Sequence, residues 1–322
     1  MAFWLKKPCN SQGLKSIVNL STQISKHLIL ISQNGTIHLS RTFQDHSSLQ
    51  IELLKKINCC ICLNDKLYIG NSLNQLEIFD LNTKFIEKEI KFEASIRSLS
   101  ANISSSLLGC CFLTNEIILV NILNDNSIIS LNTTQNIAIY CLCFDPKENF
   151  VITADTNSMK IWNFDRNQQN SQLRLTKQLR NATLKYAFNG QKNVVWHQKG
   201  FMFAISTEKS IQFFERQSWH FKFEIHTNYF FDSITFSPND NGNYLLATSD
   251  SKFCIYNIIT KRNEFELNDN LCPYSLVWYE NRIIFTDIYG YFSMIKLDLL
   301  SSVSNELADQ LCDQDLLNLL ES

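Results

Sequence analysis

The chain has 322 residues, 29 Lys plus Arg against 31 Asp plus Glu, a formal net charge of −2, and only 19% charged residues. This balance excludes a globally basic nucleic-acid binder and a polyacidic chain, and the length calls for two domains or one large closed or repeated β architecture. Hydrophobic residues at 45%, with 23 Phe, supply a large core, yet no apolar run approaches the about 18 residues of a membrane-spanning helix, so no membrane partner is expected.

The first residues, Met1-Ala2-Phe3-Trp4-Leu5-Lys6-Lys7-Pro8, carry no basic start followed by an apolar stretch, so a secretory leader is not expected. An intracellular setting follows, and the odd count of 11 cysteines then points to reduced thiols. Cys60/Cys62 and Cys141/Cys143 sit two apart in apolar runs, a strand spacing and not that of a zinc site. They are read as buried thiols that behave as small hydrophobes.

From Ile17 onward one unit recurs: an apolar strand, a few polar residues, a second strand, a tight polar turn and a third strand. The units start at Ile17, Ile57, Ile96, Ile139, Val194, Asp232 and Tyr274, with separations of 40, 39, 43, 55, 38 and 42 residues. All but one lie near the roughly 40–45 residues of a four-stranded propeller blade. The fold class expected is therefore all-β, a seven-bladed WD-repeat β-propeller over residues 1–300. The fourth unit is the clearest, with Phe144-Asp145-Pro146 closing its first strand and Met159-Lys160-Ile161-Trp162-Asn163 as its third. Phe236-Ser237-Pro238 repeats that ending in the sixth unit.

The turns between second and third strands hold Asn34-Gly35, Asn74, Asn115, Asp155, Glu208, Asp250 and Asp287. Asn and Asp suit such turns because their side chains accept local backbone hydrogen bonds and tolerate left-handed geometry. Asp155, Asp250 and Asp287 are assigned to tying turns and Trp162 to packing between blades. The repeat's name-giving dipeptide survives in degenerate form as Phe79-Asp80, Val120-Asn121, Trp162-Asn163, Phe214-Glu215 and Tyr256-Asn257. A fourth strand of alternating apolar and charged residues follows most units, as in Phe85 to Phe92 and Phe221 to Ile225. The seventh unit has no such successor, and residues 2–8 are expected to supply it and close the ring.

Two segments depart from the repeat. The long spacing after the fourth unit leaves residues 166–192, with Arg166, Arg174, Lys177, Arg180, Lys185 and Lys192 and no carboxylate. It reads either as a solvated outer strand plus loop or as a contact, through Arg174, Lys177, Arg180 and Lys185, with DNA or an acidic partner. Residues 301–322 carry Glu306, Asp309, Asp313, Asp315 and Glu321 without any Lys or Arg. Their leucines crowd near helical spacing, so this acidic tail is compatible with a short amphipathic helix that docks on the propeller or recruits another protein.

The fifth unit carries more than repeat grammar. Val194-Val195-Trp196-His197-Gln198-Lys199-Gly200, Phe203 to Ile211 with its Glu208-Lys209-Ser210, and Phe214-Glu215-Arg216-Gln217-Ser218-Trp219 resemble the fifth blade of the N-terminal propeller in the replisome adaptor family. That family includes the animal acidic nucleoplasmic DNA-binding protein and the yeast chromosome transmission fidelity protein. Leu142 to Lys147 and Ile284 to Gly290 extend the likeness, which is specific over about residues 138–297.

The resemblance implies a nuclear, chromatin-bound, non-enzymatic protein whose partners are replicative helicase subunits and DNA polymerase alpha-primase. Longer members trimerise and bind short motifs through a second propeller, and this sequence ends before any such region. The alternatives are a WD-repeat scaffold of an unrelated intracellular complex and, from another class, a propeller hydrolase. Against the last, there is no G-x-S-x-G elbow, P-loop, Gly-rich dinucleotide turn or H-E-x-x-H, and the 6 His are scattered over different units. His197 and His220, each beside a Trp, suggest packing or capping of blade ends. No cofactor, metal or small-molecule substrate is expected.

Overall fold

The computed structural model describes strands between residues 2 and 297 and, with side chains, most of residues 55–268; stretches including 132–138, 165–172, 181–193 and 298–322 lie outside the described residues. Among those described, the chain forms seven four-stranded antiparallel sheets and no α-helix. Sheets 1 to 6 each take four consecutive strands, beginning at Leu14–Thr22, Ile57–Leu63, Ile96–Asn102, Ile139–Phe144, Val194–Trp196 and Ser233–Phe236. Sheet 7 takes Pro273–Tyr279, Arg282–Asp287 and Tyr291–Leu297, and Ala2–Pro8 is its fourth strand, antiparallel to Tyr291–Leu297 with Trp4 opposite Ile295. First strands lie side by side from sheet 1 to sheet 6, and that of sheet 7 touches the second strand of sheet 6 and the first strand of sheet 1, so the sheets close into a ring. The fold is a WD-repeat propeller.

The burial gradient explains the sequence pattern. Second strands are covered on both faces by neighbouring sheets and read as continuous apolar runs. Leu107–Phe112 and Tyr244–Ser249 are buried at every position. Outer strands face water, and Ile86–Lys91 of sheet 2 is almost wholly exposed. The core is thus a set of layers between adjacent sheets. Cys59, Tyr68, Leu76 and Ile78 of sheet 2 meet Ile96, Leu108, Cys110 and Phe112 of sheet 3, and Ile152, Met159 and Ile161 of sheet 4 meet Trp196, Phe203, Phe214 and Trp219 of sheet 5.

The degenerate dipeptides have a mechanical role at the corner between third and fourth strands. Each of Phe79, Trp162, Phe214 and Tyr256 sits at a register shift against the outer strand, the mark of a bulge that bends the ribbon. The residue after it caps the turn. Asp80 Oδ1 accepts the backbone N–H groups of Asn82 and Thr83, both at 2.7 Å. Asn257 Oδ1 accepts those of Ile259 and Thr260, both at 3.0 Å. Four residues past Asp80, Glu215 and Asn257, the chain turns left-handed at Lys84, Trp219 and Lys261, with φ of 66°, 57° and 57°. Acceptor chemistry at the corner is what survives of the repeat, so Asp, Asn and Glu interchange there.

The eight cysteines among the described residues are free thiols. Burial pushes Cys62 and Cys111 up to about 12 and Cys254 up to about 11, and it raises Cys59 and Cys110 well above the ordinary thiol value. The described residues contain no His/Cys/Asp/Glu group suited to a metal ion.

Candidate interaction faces and the seam between sheets 4 and 5

A propeller offers two faces. One carries the turns between second and third strands; the other carries the turns between first and second and between third and fourth strands. On the first face, Leu73 and Leu113 stand exposed in the equivalent turns of sheets 2 and 3. Ser95 joins these turns, donating its hydroxyl to Asn74 Oδ1 and accepting the Leu113 N–H through its carbonyl. Nearby, Lys55 Nζ lies 2.5 Å from Oε1 of the fully buried Glu77 and 3.2 Å from Glu89. The Glu77 carboxylate, foremost, holds the Lys55 ammonium above its ordinary value.

Asp155 and Trp162 both lie in sheet 4. Asp155 Oδ1 accepts the Ser158 N–H at 2.6 Å and its Oδ2 accepts the Ser158 hydroxyl at 2.8 Å. Trp162 is half-buried, and its Nε1 donates to Thr153 Oγ1 of the neighbouring strand at 2.9 Å. Its polar contact is therefore within its own sheet. Asp287 ends the second strand of sheet 7, but its side chain, like all of Asp250, lies outside the described residues.

The second face holds the best-defined constellation. Asp145, fully buried at the end of the first strand of sheet 4, accepts Arg216 Nε at 2.8 Å and Arg216 Nη2 at 2.7 Å, both on Oδ2. Its Oδ1 accepts the Lys147 N–H at 2.9 Å. Arg216 comes from the corner turn of sheet 5, and its guanidinium also lies 5.3 Å from the Phe150 ring centre of sheet 4. Trp219 of the same turn packs edge-on against Phe150 at 4.7 Å and against Trp196 at 6.2 Å. The Glu-Arg-x-Ser-Trp residues thus form a polar and aromatic clasp between sheets 4 and 5, with Glu215 Oε2 accepting the Ser218 hydroxyl.

His197 extends the clasp toward sheet 6. It is fully buried, its Nδ1 accepts the Lys199 N–H at 3.1 Å, and its ring lies against Phe201 and Phe236. Gly242 of sheet 6 has φ +77°, and a Cβ there would come within 2.2 Å of His197 Nε2. The position needs glycine for both reasons. His220, by contrast, is exposed, and its carbonyl accepts the Glu215 N–H in the turn.

The described part of the basic segment is regular structure. Leu173–Arg180 is the outer strand of sheet 4, with Arg174 opposite Asn163, Lys177 opposite Ile161 and Arg180 opposite Ser158. Lys177 Nζ donates to the backbone carbonyls of Trp219 at 3.0 Å and Ser218 at 3.4 Å, tying this strand to sheet 5. The side chains of Arg174 and Arg180, and all of Lys185, lie outside the described residues. Spacing alone did not separate strand from insertion because the polar stretch before Leu173 hides where the strand begins. The clasp itself had no local signal, since Asp145 and Arg216 are 71 residues apart.

The WD domain, G-beta repeat family (WD40) matches residues 126–163, which include Asp145, Asp155 and Trp162. The chain is also 22% identical over 314 residues to the WD repeat and HMG-box DNA-binding protein 1 of Mus musculus, an alignment covering 90% of this chain and 26% of that protein. The chain therefore spans about a quarter of that relative's length. Among solved structures, a chain of a mitotic checkpoint complex crystal structure superposes with a TM-score of 0.73 at 11% identity, over 92% of this chain and 91% of that one. Each supports a WD-repeat propeller, an architecture that generally serves as a non-catalytic protein-interaction scaffold.

Proposed function

We propose that this WD-repeat propeller is the interaction module of a nuclear replisome or chromatin adaptor, bridging replicative helicase subunits and DNA polymerase alpha-primase. The observation that carries the reading is the alignment with a WD repeat and HMG-box DNA-binding protein along nearly the whole propeller. It extends well beyond the single repeat matched by the WD40 family. The residues of the replisome-adaptor resemblance, Glu215, Arg216, Ser218 and Trp219, are also those that clasp sheets 4 and 5, so the likeness reaches into how the ring is held together.

Arg174, Arg180 and Lys185 are assigned to an anion contact, with DNA or an acidic protein segment, and Lys177 to anchoring the strand that carries Arg174 and Arg180. The DNA affinity of such a short basic strand is weak, near the roughly 10⁻⁴–10⁻⁶ M of non-specific binding, and falls steeply with salt.

Affinity purification of the full chain from replicating cells tests the adaptor role. Recovery of helicase subunits together with polymerase alpha is the expected result. Their consistent absence, with a different stable set of partners recovered instead, assigns the propeller to a scaffold in another complex.

A further inference from the structure

We propose that the turn face of sheets 2 and 3 docks a protein segment in which apolar side chains stand beside lysine or arginine, with Leu73 and Leu113 as its anchors. The inference rests on the interaction-module reading but not on which complex supplies the partner.

The turn sequences single out the place. Between second and third strands the chain reads Gln33-Asn34-Gly35, Thr156-Asn157, Thr207-Glu208-Lys209 and Asp250-Ser251 in sheets 1, 4, 5 and 6. In sheets 2 and 3, neighbours in the ring, a leucine stands there instead, and Leu73 and Leu113 are 60% and 53% exposed. Ser95 joins the two turns into one surface, its hydroxyl donating to Asn74 Oδ1 and its carbonyl accepting the Leu113 N–H at 3.1 Å.

A buried network fixes what this surface presents. Asn71 Oδ1 accepts the N–H groups of Leu73 at 2.9 Å and Gln75 at 3.2 Å. Its Nδ2 donates to Glu77 Oε1 at 2.8 Å, the oxygen that Lys55 also holds. Asn74 turns left-handed with φ 61°, and its Nδ2 donates to the Glu93 carbonyl at 3.3 Å. Asn71 and Glu77 are fully buried, and the blade itself does not demand a carboxylate there. Two residues before the corner aromatics of sheets 4, 5 and 6, as Glu77 is before Phe79, stand Lys160, Gln212 and Cys254. Burying a charge is costly, and what this one supports is the turn beneath Leu73. An anchor held still loses little entropy on docking.

Charge selects the occupant. The exposed charges at the junction of the two turns are Glu93, whose carbonyl is tied to Asn74, and Glu116, three residues past Leu113. The neighbouring cations stand apart from this junction. Lys55 is engaged by Glu77 and Glu89, Lys91 ends the outer strand opposite Gln75, and Lys56 precedes the first strand on the inner side of the ring. A segment with apolar residues beside Lys or Arg is therefore complementary, while an acidic segment or nucleic acid is repelled.

The test uses the full chain made in replicating cells, with the photo-cross-linker p-benzoylphenylalanine in place of Leu73, of Leu113 or, on the opposite face, of the exposed Phe85. The joined residues are mapped by mass spectrometry. The mapped segment, made as a synthetic peptide, is then titrated onto the unaltered chain, Leu73→Ser, Leu113→Ser and the charge reversal Glu93→Lys with Glu116→Lys, each checked for folding by circular dichroism.

The expected result is that positions 73 and 113 both join to one segment of another protein, absent from the Phe85 position, with apolar residues beside Lys or Arg. Each folded variant binds the peptide at least about ten-fold more weakly. A segment of this chemistry from a protein outside the replisome upholds the docking surface and removes the replisome assignment. No product at 73 and 113, products shared with Phe85, or products with an acidic segment, nucleic acid or a second copy of this chain overturn the proposal. Equal affinity of the peptide for the unaltered chain and the folded variants overturns it as well.

Discussion

Arg216 grips Asp145 with two nitrogens on a single carboxylate oxygen, across the boundary between two sheets, while the backbone of Lys147 holds the other oxygen. The carboxylate is fully buried and the guanidinium side chain 19% exposed. Removing one partner of such a pair leaves an uncompensated buried charge, which costs about 3–5 kcal/mol. Arg216→Ala is therefore expected to lower the urea midpoint sharply. Combining it with Asp145→Leu, which removes the orphaned charge, recovers part of the loss. A single mutant as stable as the parent refutes the clasp.

Gly242 faces His197 so closely that a methyl group has no room. Its positive φ adds backbone strain of order 1–3 kcal/mol for a residue with a side chain. Gly242→Ala is expected to lower the melting temperature, and His197→Ala in the same chain relieves the clash but not the strain. Full stability of the single mutant contradicts the packing described.

How far the fold was legible follows from where each signal lives. Ile57, Ile96, Ile139 and Val194, taken as unit starts from apolar runs and turn residues, are the first residues of inner strands. Buried strands must be apolar on both faces, so their pattern survives divergence. Asp80 and Asn257 were equally visible because turn capping is local. Contacts between repeats leave no such mark: nothing near Asp145 announces Arg216, and nothing near Lys177 announces the Ser218 and Trp219 carbonyls. Of the four cations singled out in the basic stretch, Lys177 is one that the fold itself uses.

Within sheet 4, Trp162→Phe keeps most of the buried area but loses the donor to Thr153, leaving that buried hydroxyl unmatched. The expected cost is about 1 kcal/mol. Asp155→Ala, which removes both bonds to Ser158, costs about 1–3 kcal/mol. Both are read by chemical denaturation. Preserved stability with a partner lost in pull-down reassigns either residue to recognition.

Asp80 gives a pH signature. The N–H of Thr83 first, then that of Asn82, holds its carboxyl below the ordinary 3.8. A depressed folded value means the contribution is complete above about pH 4 and disappears as pH falls through the lowered value. Asp80→Asn keeps an acceptor but cannot ionise. Its stability difference from the parent is expected to be small, because the site is half-exposed, and to shrink below pH 4. A difference unchanged between pH 7 and pH 3 contradicts the assignment.

The closure of the ring rests on Ala2–Pro8, whose seven residues pair along Tyr291–Leu297 from Ala2 opposite Leu297 to Pro8 opposite Tyr291. Without them the open edge of sheet 7 moves inward to Tyr291–Leu297, whose freed N–H and C=O groups template association with another chain. The ring also loses a link between the two ends of the chain, leaving the packing of Leu14–Thr22 against Pro273–Tyr279 to hold sheets 1 and 7 together. Deleting residues 1–8 is expected to lower the melting temperature by several degrees, since each about 1 kcal/mol moves a domain of this size by roughly 2–4 °C. It is also expected to make the protein associate in light scattering. Adding back a synthetic peptide of the deleted residues restores the edge by strand addition and reverses both effects. An unaltered melting temperature and a monodisperse deletion mutant refute the closing role of this strand.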